Sequence, residues 1–280
     1  MIQIAPATPV SIGPSVVRYT APNPGVMTGP GTNVYWIGES KVTLIDPGPD
    51  DPEHIESLAE HVGDRLERIV VTHTHRDHSP GASPLAKLTG ARLFGMTAPT
   101  TFENDSTFQP DVTLTDGQTL DCDGQELEVV HTPGHASNHV CLFLRHTGLL
   151  FTGDHIMEGS TVVIAAPDGD MRAYLDAMAR LRAMPLKAIA PGHGHVIDTP
   201  FDAIDTIVSH RLTRERQVIE VVTSHGPAEI DVILDVVYRH VTEAIRPVAR
   251  MSLLAHLTKL RNEGVVRLDN EIWEYTGDSQ

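Results

Sequence analysis

The chain has 280 residues, 40 % hydrophobic and 21 % charged, a composition expected of one large globular domain or a large and a small one. No apolar run approaches the roughly 18 residues of a membrane helix, and the start, MIQIAPATPV, has neither the basic nor the apolar region of a signal peptide. The net charge of −16 disfavours nonspecific binding to polyanions, and two cysteines, Cys122 and Cys141, are too few for a disulfide framework, so a reducing cytoplasm is expected.

From Val16 to about Ile156 the pattern is one of short apolar strands separated by Gly, Pro and Asp turns. NVYWIG (33–38) and KVTLID (41–46) read as a hairpin around Glu39-Ser40. Residues 51–63 have helical spacing at Ile55, Leu58, Ala59 and Val62, with Pro52 in the first turn and Gly63 at the end. RIVVTH (68–73) reads as a buried strand, 79–90 as a short helix and 91–96 as another strand. Residues 111–134 and 138–154 read as antiparallel strands, 171–184 as an amphipathic helix and 187–194 as a last short strand entering a loop.

Near residue 199 the texture changes. A helix is expected over 198–226, with Thr199 as N-cap and Pro200 at the first helical position. Two more follow, about 228–240 and 248–263, then a hairpin over 265–275 around Asp269-Asn270. Three helices and a hairpin are the parts of a winged-helix module. The expected division is therefore an α/β body, 1–198, and a small helical domain, 199–280. The body lacks a strict βαβ rhythm, which fits a sandwich of two sheets covered by helices.

The stretch VVTHTHRDHSPG (70–81) carries the chemistry. His73 and His75, two apart at a strand end, point to one side if the chain is still extended. Asp77 and His78 follow as it turns. Imidazole and carboxylate are ligands for zinc and related first-row metals. His135 in HTPGHASNH, Asp154 in LFTGDHI and His193 in APGHGH lie in three further loops beside short apolar strands. Seven ligand-type residues in four such loops form the pattern of a two-metal site.

At these residues the sequence resembles the metallo-β-lactamase-fold superfamily. The resemblance implies an αββα sandwich with the metals at one edge of the sheets. It implies that His73, His75 and His135 bind one metal, that Asp77, His78 and His193 bind the other, and that Asp154 bridges them. Two Zn2+ are the default, with Mn2+ or Fe as alternatives. Water held between the ions would ionise near neutral pH and serve as nucleophile, with Asp77 also orienting it. One branch of true lactamases has cysteine at the bridging position. The aspartate here is instead similar to glyoxalase II and the RNA-processing nucleases. Cys122 and Cys141 fall outside the ligand motifs and read as small buried hydrophobes.

NPGVMTGPGTNVYWIG (23–38), LIDPGP (44–49) and TGDHIMEGSTVVI (152–164) look like the lactamase-beta-2-like group, whose C-terminal winged-helix-like domain MSLLAHLTKLRNEGVV (251–266) also resembles. That group includes single-strand endoribonucleases and thioesterases that release acyl chains from carrier proteins.

Around the ligands, His195 is an alternative to His193. His139 and His155 are expected behind the ligands or facing substrate, and His131 at a strand end. Thr32 and Asn33 are expected near substrate, Asp46 as a brace for the ligand loop, and Glu158, Ser160 and Thr161 as pocket-lining candidates. Residues 201–280 hold 9 Lys and Arg against 13 Asp and Glu. The small domain therefore lacks the basic footprint of a nucleic-acid reader and is expected to shape a cleft wall. The leading expectation is a dinuclear hydrolase of a thioester or other carboxylic ester, small or carried on an acyl carrier. Its alternatives are an endoribonuclease on single-stranded RNA and a non-enzymatic metal-binding or winged-helix regulator. Oligomeric state is not legible.

Overall fold

The computed structural model describes residues 4–101 and 104–277. Two sheets face each other. The first runs in the order β1 (Val10–Gly13), β2 (Val16–Thr20), β3 (Asn33–Ile37), β4 (Val42–Ile45), β5 (Leu66–Val70), β6 (Arg92–Gly95) and β7 (Val112–Thr113). It is antiparallel up to β4 and parallel from there on. The second contains β8 (Thr119–Cys122), β9 (Gln125–His131), β10 (Val140–Leu144), β11 (Leu149–Gly153) and β12 (Ala188–Pro191). Its order is β12-β11-β10-β9-β8, with only β11 and β12 parallel.

The strands read as continuous apolar runs because both of their faces are buried, and alternation sorts the side chains. Tyr35 and Ile37 of β3 pack inward against Leu142 and Leu144 of β10 and Phe151 of β11, forming the core between the sheets. Val34 and Trp36 point the other way, onto α1 (Pro52–Val62) and α2 (Ala82–Thr89). Cys141 and Phe143 of β10 face α3 (Met171–Arg182) through Tyr174, Met178 and Leu181. The result is the αββα sandwich. Both cysteines are free and buried, Cys122 between the sheets and Cys141 under α3. Helix ends follow local chemistry: the Asp51 carboxylate accepts from the Glu53 and His54 amides at the start of α1, and Asp170 from the Ala173 amide at the start of α3.

The C-terminal unit comprises α4 (Pro200–His225), α5 (Ile230–Val237) and α6 (Arg246–Asn262), with a sheet ordered β13 (Ala228–Glu229), β15 (Ile272–Tyr275), β14 (Val266–Asp269). Helix α4 serves two cores. Ile204 and Ile207 pack with α3, whereas Val218, Val221 and Val222 pack with α5, α6 and Trp273. No helix among the described residues is long and apolar enough to cross a membrane.

Several elements differ from the sequence expectation. β5 ends at Val70, so His73 and His75 stand in the following loop rather than on an extended strand. Thr199 occupies the N-cap position of α4, but its hydroxyl makes no capping hydrogen bond. The β1–β2 hairpin begins before Val16, and β13 is a two-residue strand too short to leave a periodic signal. In the C-terminal hairpin, Asn270 and Glu271 form the two-residue turn, both at positive φ (46° and 70°).

Candidate metal centre

Four loops meet at one edge of the sandwich: those after β5, β9, β11 and β12. They bring His73, His75 and His135 into one group and Asp77, His78, Asp154 and His193 into another, the ligand-type atoms of each group lying within 4.8 Å of one another. In the first, His75 Nδ1 lies 3.1 Å from His73 Nε2 and 2.9 Å from His135 Nε2. In the second, Asp77 Oδ2 lies 3.4 Å from His78 Nε2 and 3.2 Å from His193 Nε2. Asp154 stands between the groups. Its Oδ1 is 3.3 Å from both His78 Nε2 and His193 Nε2, and its Oδ2 is 3.8 Å from His135 Nε2.

The ring orientations are set from behind. His135 Nδ1 lies 2.7 Å from the Val163 carbonyl and His193 Nδ1 lies 3.2 Å from the Gly31 carbonyl, acceptors that require N–H on Nδ1. His78 Nδ1 faces the Asp46 carboxylate at 2.8 Å. Thr72 donates its hydroxyl to Asp46, leaving its oxygen to accept from His73 Nδ1 at 3.0 Å. Each of these four rings, when neutral, therefore turns an Nε2 lone pair into the site. Lone pairs converging at about 3 Å repel unless a cation lies between them. Buried His78 Nε2, His193 Nε2 and Asp154 Oδ1 make no hydrogen bond of acceptable geometry. Ligands about 2.1 Å from a tetrahedral ion stand about 3.4 Å apart, close to the 3.2–3.4 Å separations of the second group. The donor set fits divalent metal.

Charge is partitioned between the two groups. Burial drives His73 and His75 down, helped by the neighbouring imidazoles, His75 to about 4. Burial opposes charge on His78 and His193 too, but the carboxylates of Asp77 and Asp154 outweigh it. His78 is raised well above its ordinary value and His193 to about 9. Burial would raise Asp77 and Asp154, yet the adjacent His78 and His193 hold both well below the usual carboxylate range. His73 and His75 thus present neutral imidazoles. The second group presents ionised carboxylates whose partner protons a metal would displace.

Above the two groups lies a cleft of about 610 Å³. Its walls are mostly apolar: Met27, Met157, Val162, Val163 and Ala165 from the body, and Met251 from α6. Arg76 is the one cationic side chain among the described lining residues, and Asp168 the one carboxylate besides Asp77 and Asp154.

Residues 27–193 match the metallo-beta-lactamase superfamily, and residues 230–273 match the beta-lactamase associated winged helix domain. The chain belongs to the metallo-β-lactamase superfamily. As a member of this superfamily it is a hydrolase. It is similar to a beta-lactamase-like protein 2 homolog of Drosophila melanogaster, 32 % identical over 93 % of this chain and 94 % of the relative. It is also similar to the atrochrysone carboxyl ACP thioesterase nsrC of Aspergillus novofumigatus, 32 % identical over 75 % of this chain and 63 % of the relative. The crystal structure of a beta-lactamase domain protein from Burkholderia ambifaria has the same fold, with a TM-score of 0.83 over 98 % of this chain and 96 % of that one at 18 % identity.

The remaining sequence candidates in this metallo-β-lactamase fold surround the two groups at different depths. Asp46 holds both Thr72 and His78. Thr32 and Asn33 are fully buried rather than in the cleft wall. Asn33 donates to the Pro191 and Gly194 carbonyls, tying the His193 loop to the first sheet. His139 Nδ1 lies 2.9 Å from Thr132 Oγ1, with its ring tilted against that of His73 at 4.9 Å between centres, while His155 lies against Tyr174, both fully buried. His195 is outside both groups, its amide donating to Glu158. Glu158, Ser160 and Thr161 line a separate depression beside α4. His131 Nε2 faces the Ser137 carbonyl at 3.0 Å. Sequence reasoning missed Arg76, although it stands between two singled-out residues, and Met251, whose helical spacing reads as core.

Proposed function

We propose that this hydrolase holds two metal ions, one in each group with Asp154 shared, and cleaves a thioester or other carboxylic ester, with Zn2+ the default metal and Mn2+ or Fe accepted by the same ligands. The observation that carries the proposal is the convergence of both ligand groups on the two oxygens of Asp154 at the floor of an apolar cleft. Two ions there would supply an acidified water as nucleophile and stabilise the oxyanion of the tetrahedral adduct.

The chain's own residues account for the rest. Val162, Val163, Met157 and Met251 exclude water and receive an apolar acyl portion. Asp77 faces the cleft and, beyond acting as a ligand, orients the attacking water. Apart from the two groups, the described lining residues include no histidine or lysine to protonate a leaving group. A thiol, with a pKa of about 8.5, leaves as thiolate nearly unaided, whereas an alkoxide demands a proton. The thioesterase named among the relatives supports the same bond type. Single-stranded RNA is disfavoured, because Arg76 alone does not make a cationic track to the metals.

We further propose the division into a catalytic domain, 1–198, and a winged-helix-like domain, 199–280, that forms one cleft wall. The two free buried thiols support a reducing, cytoplasmic location. The test is a parallel assay of metal-loaded protein on acyl thioesters and on a short single-stranded RNA. Thioester hydrolysis lost in Asp77→Ala is the expected result. RNA cleavage lost in the same variant would overturn the substrate assignment.

A further inference from the structure

The loop carrying His135 is held from two sides by residues remote in sequence. On one side Gly134 lies against Tyr174 of α3, so closely that a Cβ there would meet Tyr174 Cα at 2.4 Å, and its φ of 143° lies in the left-handed region. On the other, the Val163 carbonyl receives His135 Nδ1 at 2.7 Å. Arg211 of α4 reaches both sides, one peptide before the Val163 carbonyl and over the Tyr174 ring. Its guanidinium donates to the Val162 carbonyl and stands 5.6 Å from the centre of the Tyr174 ring.

Arg211 is only 3 % exposed, and its Nε lacks a hydrogen-bond partner. No carboxylate is paired with it among the described ion pairs. Burying such a charge is costly, and an apolar residue of similar volume often serves packing as well or better. An apolar residue cannot hold the Val162 carbonyl. Planar peptides leave only the two Val163 dihedrals between that carbonyl and the next one, which receives His135.

We propose that Arg211 is a positioning residue for the metal centre: from the C-terminal unit it anchors the Val162–Val163 peptide so that the Val163 carbonyl aims His135 Nε2 at His73 and His75. This role rests on the reading of His135 as a ligand. It makes the small domain part of the metal site's construction as well as of the cleft wall.

The experiment compares wild type, Arg211→Met, Arg211→Lys and His135→Ala, stripped of metal and titrated with Co2+. Affinity is read by chelator competition and geometry by visible absorption, with circular dichroism as the folding control. Arg211→Met is expected to fold, to bind Co2+ at the three-histidine group about 10- to 100-fold more weakly, and to show a shifted absorption band. The other group keeps its affinity. Arg211→Lys, with the charge but not the planar fork, recovers part of the loss. If Arg211→Met does not fold, Arg211→Lys decides by the same readouts. Wild-type affinity and spectrum in the folded Arg211 variants would overturn the proposal. Unimpaired binding by His135→Ala would sink the ligand reading itself, whereas a defective His135→Ala beside normal Arg211 variants removes only the positioning role.

Discussion

Asp46 stands directly behind His78, with Oδ2 2.8 Å from His78 Nδ1, while its other oxygen accepts the Thr72 amide at 2.7 Å. Asp46 adopts a left-handed backbone (φ 49°), which aspartate tolerates better than most residues and which turns its carboxylate back under the ligand loop. Only an acceptor at both oxygens satisfies these donors. Asp46→Asn puts an amide N–H against one of them, favouring the wrong His78 tautomer. Affinity of the Asp77–His78–Asp154–His193 group should fall about 10- to 100-fold with the fold retained. Metal competition with circular dichroism as control checks this, and unchanged affinity would refute it.

Gly192 separates β12 from His193. A Cβ there would lie 2.7 Å from Asp154 Oδ1 and 2.9 Å from His78 Cε1. Gly192→Ala should therefore push apart the second group without adding charge or altering a ligand. The expected outcome is loss of one of two bound ions per chain in elemental analysis, with the three-histidine group still loaded.

Met251 brings α6 into the cleft while remaining 45 % exposed. Truncation in Met251→Ala removes apolar contact from the proposed acyl site and leaves the two candidate metal groups alone. Long-chain acyl thioesters should lose several-fold in kcat/KM, less than the roughly 10-fold or more seen for a methylene in a closed pocket. Acetyl thioesters should be nearly unaffected. Equal losses on both chain lengths would show that Met251 does not contact the acyl portion.

The convergence of the two candidate groups was legible because residues of chelating type cluster within a few positions beside short apolar strands, so that spacing singles out His73, His75, Asp77 and His78. The sandwich was legible through two-sided apolar strands such as VCLFL (140–144). Contacts across the domains were not. Nothing local distinguishes Met251 from a core methionine or Arg211 from a surface arginine on a long helix, because their roles depend on how α4 and α6 dock. Thr32 and Asn33 read as cleft residues from their glycine-rich surroundings. The packing of β3 against the His193 loop buries them instead.

Within the C-terminal unit, His256 is fully buried with Nδ1 3.5 Å from Glu215 Oε2, and Lys259 pairs with the same carboxylate at 2.8 Å. Burial lowers His256, with Arg211 and Lys259 adding to the effect against the opposing pull of Glu215. Burial would raise Glu215, but His256 and Lys259 lower it. Both groups bind protons more readily when unfolded, so both lose stability as pH falls: His256 below about 6.5, Glu215 below about 4.5. The contribution of His256 to the melting temperature should decline from pH 7.5 toward pH 5. The part due to His256 is the portion that disappears in His256→Leu. An identical pH slope in that variant would exclude His256 as a contributor.

The central claim is a pair of ions sharing Asp154, and anomalous diffraction from crystals grown with Zn2+ tests it most directly. Two peaks are predicted, about 3.5–4 Å apart, one against His73, His75 and His135 and the other against Asp77, His78 and His193, with Asp154 touching both. A single fully occupied peak, or a pair in which Asp154 touches only one ion, would contradict it.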